Sequence, residues 1–152
     1  MSSGAGAFGA YTREQLRQSY AEAWRKSRER RPLTPLEALI ADVIALHCEY
    51  QPLLEDTRAA IDFEPRGDAE NPFLHMGLHL AVREQVSIDR PQGVRELERA
   101  LAARVGDEHG AEHVLMEALA ETLWEAQRSA HAPDESRYLD IARARLRMLE
   151  SR

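Results

Sequence analysis

Four of the six histidines in this chain form two pairs with the same spacing, His75 with His79 and His109 with His113. Residues four apart on an α-helix are neighbours, with about 5–6 Å between Cβ atoms, so each pair can close on one metal ion. Imidazole is a good ligand for zinc, iron, copper and nickel. His47 joins them from an apolar stripe made by Leu36, Leu39, Ile40, Val43, Leu46 and Tyr50. Two carboxylates accompany the second pair. Glu117 follows His113 by one turn and is the carboxylate expected to reach an ion held there. Glu112 falls deeper in the apolar arc, where a lone carboxylate is costly. It is expected to act as a ligand, to orient an imidazole, or to pair with a basic side chain. The candidate metal ligands are therefore His47, His75, His79, His109, His113, Glu117 and Glu112, while His131 lies in an Ala-Pro break apart from them.

Absent motifs narrow the chemistry. His75-Met76-Gly77-Leu78-His79 has no Glu beside its first His, so it is not a zincin helix. The residues three before the clustered histidines are Ile44, Pro72, Met76, Gly106 and Gly110, so the Glu-x-x-His of ferritin-like bundles is missing. One cysteine cannot build a zinc finger or an iron–sulfur cluster, and there is no phosphate-binding Gly-rich loop or nucleophile elbow. A His-rich, carboxylate-supplemented site suits non-haem iron or a di-iron centre first, then zinc or manganese. A redox enzyme or a sensor would use such a centre; the pattern names no reaction. The alternative is a structural or protein-interaction module whose histidines and glutamates form a buried hydrogen-bond network without metal. In either case the imidazoles must be satisfied together. Each unpaired buried group costs about 1–3 kcal/mol, against a total stability of about 5–15 kcal/mol.

The elements that must position these residues are helices. Thr12-Arg13-Glu14-Gln15 and Thr34-Pro35-Leu36-Glu37 both have capping-box form, the second with Pro at the first helical position. The second helix carries the stripe that includes His47, and Pro52 closes or kinks it. Residues 56–70 are polar and broken by Pro65 and Gly67, which predicts a long connection. Asn71-Pro72 opens a third helix to about Ile88, with His75 and His79 flanked by Leu78, Val82 and Val86 and with Arg83 and Glu84 pointing elsewhere. A fourth has Val94, Leu97, Leu101 and Val105 inward and Gly106 as C-cap. A fifth runs from Asp107 to about Ser129, with Met116, Ala120 and Leu123 on the histidine face, and a sixth starts at Asp134. No strand-like alternation or repeat occurs. The expected fold is all-α, an up-and-down helical bundle of five or six helices. If consecutive helices run antiparallel, His47 at the end of the second, His75 and His79 at the start of the third, and His109 and His113 at the start of the fifth all meet at one end.

Composition bounds the remainder. The chain has 152 residues, 43% of them hydrophobic and 30% charged, which suits one globular domain over residues 11–152. Residues 1–10 are small and Gly-rich and read as a disordered leader without the apolar stretch of a signal peptide. A net charge of −6 argues against nucleic acid as a partner. The basic run Arg25, Lys26, Arg28, Arg30, Arg31 suits a helix C-terminus. No stretch approaches the ~20 apolar residues of a membrane span. The one cysteine, Cys48, excludes an internal disulfide and fits a cytoplasmic location. Spacing fixes no oligomeric state.

The strings Asn71-Pro72-Phe73-Leu74-His75-Met76, His79 with Arg83-Glu84-Gln85, and His109 through Glu117 closing on Trp124-Glu125-Ala126-Gln127-Arg128 resemble the bacterial domain-of-unknown-function family eighteen forty-one. The resemblance covers nearly the whole chain after Tyr11 and implies no established activity. More distantly, the histidine-bearing helices are similar to hemerythrin-like and DinB-like metal bundles, which implies metal binding in a helical bundle. The hemerythrin pattern places Glu four after His. Here Arg83 stands four after His79, and only His113 and Glu117 fit that spacing.

Overall fold

Thr12 and Thr34 do what their sequence context predicts. Each hydroxyl accepts from the backbone N–H three residues on, and Gln15 and Glu37 reach back to the capping residues. In the computed structural model, which describes residues 12–67 and 70–152, they open α1 (Arg13–Arg28) and α2 (Pro35–Leu46). The expected leader at residues 1–10 lies outside the described residues. The other helices are α3 (Gln51–Leu54), α4 (Thr57–Asp62), α5 (Pro72–Ile88), α6 (Val94–Val105), α7 (Glu108–Ser129) and α8 (Glu135–Glu150). The described residues form an all-helical protein with no strand. None of these helices is long and apolar enough to cross a membrane.

The eight helices exceed the expected five or six because two short ones occupy the stretch between α2 and α5. Pro52 does not simply end the second helix. Its missing N–H removes the bond that would return to Cys48, so the chain leaves α-geometry at His47, passes through a 3-10 turn at Cys48–Tyr50, and restarts with Pro52 in the first turn of α3. α4 replaces part of the predicted connection. Asp56 caps it by accepting from the N–H groups of Arg58 and Ala59. At its far end the buried Arg17 of α1 donates to the carbonyls of Ala60, Ile61 and Phe63 while lying over the Phe73 ring.

Packing divides the chain into two compact units, the first ending at Leu80 and the second beginning at Ala81, with α5 running through the division. In the first unit, α1 packs on α2, α3 and α4. Its core is built from Tyr20, Ile40, Val43, Ile44, Leu54, Phe73 and Met76, with Trp24 and Phe63 against it. Leu39 and Leu46, expected inside, face out. In the second unit, α6, α7 and α8 pack on one another over Val94, Leu97, Leu101, Leu115, Met116, Leu119, Tyr138 and Ile141. The buried face of α7 is Ala111, Glu112, Leu115, Met116, Ala118, Leu119 and Thr122, so Ala120 and Leu123 lie outside the arc that sequence spacing gave them. Gly106 caps α6 with φ +109°, a conformation glycine adopts without strain.

Candidate metal centre

The first unit brings three histidines together. His47 occupies the C-cap of α2, where φ −122° and ψ 71° take it off the helix, and its side chain is only 6% exposed. His75 and His79 are one turn apart at the start of α5, which Asn71 opens by accepting from the Phe73 N–H. His79 is fully buried. The ring centroids of His47, His75 and His79 are 4.7–4.9 Å apart in every pairing. Nε2 of His47 lies 2.8 Å from Nε2 of His79.

Carboxylates hold the outer edges of these rings. Nδ1 of His47 faces Glu49 Oε1 at 2.9 Å, and Nδ1 of His75 faces Glu70 Oε1 at 2.6 Å. The Tyr50 hydroxyl donates to the other oxygen of Glu70 at 3.1 Å, and the Tyr50 ring stacks on His47. The bond from His47 holds the Glu49 carboxyl below its ordinary range. Burial, reinforced by Glu70, pushes the Tyr50 hydroxyl up and keeps it a donor. For His75, burial lowers the pKa and outweighs the opposing pull of Glu70. The 2.6 Å contact sets Nδ1 of His75 against a carboxylate oxygen, the arrangement in which a neutral imidazole donates Nδ1–H and keeps its lone pair on Nε2. A cluster of three imidazoles of this kind can hold a metal ion.

The second unit holds the other pair. Asp107 caps α7 by accepting from the Gly110 N–H, and His109 and His113 follow in the first two turns, half-buried, with ring centroids 4.3 Å apart. Each offers a ring nitrogen, the two within 4.8 Å of each other. Glu112, between them, is buried and is gripped by Arg83 of α5, Nε to Oε1 at 2.7 Å and Nη2 to Oε2 at 3.4 Å. Of the roles open to Glu112 from sequence, the structure gives it the basic partner. It also corrects the expectation that Arg83 points away. Glu117 is 61% exposed at its side chain and bonds Arg145 of α8 at 3.2 Å. His131 is exposed beyond α7, apart from the pair.

Three residues of the site were missed by sequence reasoning. Glu49 stands two after His47, about 200° away on a continuing helix, and meets the ring only because the chain leaves the helix there. Glu70 lies in irregular backbone before the Asn71 cap, where no periodicity applies. Tyr50 read as one more apolar member of the stripe.

An all-helical fold with clustered, carboxylate-braced histidines is the class that these observations define. Over residues 12–144 the chain matches the family described as Domain of unknown function (DUF1841), and it belongs to that family. No curated protein and no solved structure matches it.

Proposed function

We propose that this chain is a metal-binding protein, with His47, His75 and His79 in its first unit and His109 and His113 in its second as imidazole ligands for a divalent transition metal. The observation that carries the reading is the His47–His79 pair, with two Nε2 atoms 2.8 Å apart in a buried setting and the far nitrogen of His47 held by Glu49. An ion with nitrogens at about 2.0–2.1 Å needs such a pair to part by only about half an ångström.

With Glu112 on Arg83 and Glu117 on Arg145, the donors are imidazoles. That removes manganese, which favours oxygen, and leaves iron and zinc level. Only iron would give the redox enzyme or sensor that the sequence suggested, because zinc has no redox chemistry. The second reading is a buried hydrogen-bond network without metal, favoured by the same short contact if one proton bridges the two Nε2 atoms. Elemental analysis of the chain as purified, and after loading with Fe(II) or Zn(II), separates them. About one ion per chain in the wild type and none in His79→Ala supports the metal centre. A wild type that takes up neither metal leaves the network.

A further inference from the structure

A set of neutral imidazoles leaves the full charge of a divalent ion uncompensated, and burying such a charge is costly. It also works only if each ring presents a bare nitrogen inward, since a ring flipped to the other tautomer offers an N–H instead. Glu49 and Glu70 are placed to meet both requirements. Each accepts at an Nδ1, of His47 and His75 respectively. Their own side chains are 57% and 62% exposed, so a carboxylate charge there carries little desolvation cost, while their oxygens touch rings that are nearly buried. Tyr50 fixes the second of them, because its hydroxyl holds Glu70 Oε2 and so aims Oε1 at His75. The same Tyr50 ring stacks on His47, tying the two arms together.

We infer that Glu49 and Glu70 are positioning residues for the metal centre proposed above, on which this inference rests. They lock His47 and His75 in the tautomer with Nε2 bare and supply the negative charge that the imidazoles lack. A merely structural carboxylate would change the stability of the metal-free chain and leave its metal affinity alone. A positioning carboxylate does the reverse.

The test uses the full chain with Glu49→Gln, Glu49→Ala, Glu70→Gln and Glu70→Ala. Each is titrated with Zn(II) or Co(II) against a competing chelator, and the metal-free melting temperature is measured alongside. Alanine should raise the Kd about 10–100-fold, the usual cost of losing such a partner, with a small change in metal-free melting. Glutamine keeps an acceptor oxygen but no charge and should fall between. In the 15N spectra of the metal-free protein, the proton should sit on Nδ1 of His47 and His75 in the wild type and in the glutamine variants, and move in the corresponding alanine variant. Wild-type affinity in both alanine variants overturns the positioning role while leaving the metal centre standing. A wild type that binds no metal overturns both. If the alanine variants do not fold, the glutamine variants decide, and wild-type affinity in both overturns the inference.

Discussion

Arg83 and Glu112 are the clearest case in which one side chain depends on another. Glu112 is buried on the inner face of α7, and the Arg83 guanidinium supplies both its hydrogen bonds and its counter-charge. Removing Arg83 strands an uncompensated carboxylate, so Arg83→Ala should lose about 3 kcal/mol in urea unfolding, the scale of a broken buried pair. Replacing both partners, as Arg83→Met with Glu112→Leu, should recover most of that loss. The pair between Glu117 and Arg145 is the contrast. It is largely in water, so Glu117→Gln should shift stability by less than about 1 kcal/mol and leave metal content at the wild-type level. A Glu117→Gln variant without metal would return that carboxylate to the ligand set. At this scale the two histidine pairs, His75 with His79 and His109 with His113, were legible because a four-residue spacing is a local property of a helix, whereas His47 was read only from its place in an apolar stripe. The burial of Glu112 was legible too, but the partners of the carboxylates, Arg83 for Glu112 and Arg145 for Glu117, were not, because they are set by packing between helices that spacing does not describe.

Helix ends carry the next set of consequences. The Lys26 ammonium, together with the Thr34 backbone, holds the Glu37 carboxyl at about 2. A carboxyl held below its unfolded value stabilises the fold above that value and ceases to do so as pH falls toward the folded one. Between about pH 4.5 and 2 the wild type should therefore lose stability that Glu37→Gln never had, and the two denaturation profiles should converge toward acid. Two glycines make a second comparison. Gly77, in mid α5, would present a Cβ only to the Tyr20 hydroxyl at 3.8 Å. Gly77→Ala should thus raise the melting temperature by removing up to about 1 kcal/mol of helix penalty. Gly110, at the start of α7, would drive a Cβ into the side chains of Val105 and Asp107. Gly110→Ala should cost about 1–3 kcal/mol and disturb the turn that presents His109 and His113. Equal stability in both variants would show that the crowding at Gly110 relaxes freely. Both capping boxes, the Asn71 and Asp134 caps and the Gly106 stop were readable because each is a contact within a few residues. α4 was not, because its end is secured by Arg17, more than forty residues earlier.

For the molecule as a whole, a bound metal ion should stabilise the folded chain by mass action. At a hundredfold excess of free metal over its Kd, that amounts to about 2.7 kcal/mol, or about 5–10 °C in melting temperature for a chain of this size. Stripping the metal with a chelator should produce that fall, and acid should produce it too, because the imidazoles must be neutral to bind. An unchanged melting curve after verified removal of bound metal would place the ion outside the folded scaffold. α5, which runs unbroken from Pro72 to Ile88 across the division at Leu80, has a consequence of its own for how the chain tolerates change in length. A helix is a phase-keeping rod, advancing about 100° per residue, and His79 and Arg83 share a face only because four steps come near to a full turn. One alanine inserted between Leu80 and Ala81 would swing the guanidinium about a quarter-turn away from its line with His79. Such a chain should keep its helical content while His79 and Arg83 no longer share a face, and circular dichroism with urea unfolding against the wild type would check it. Length added instead at residues 64–67, an irregular stretch outside every helix, alters no helical phase and should leave that shared face intact.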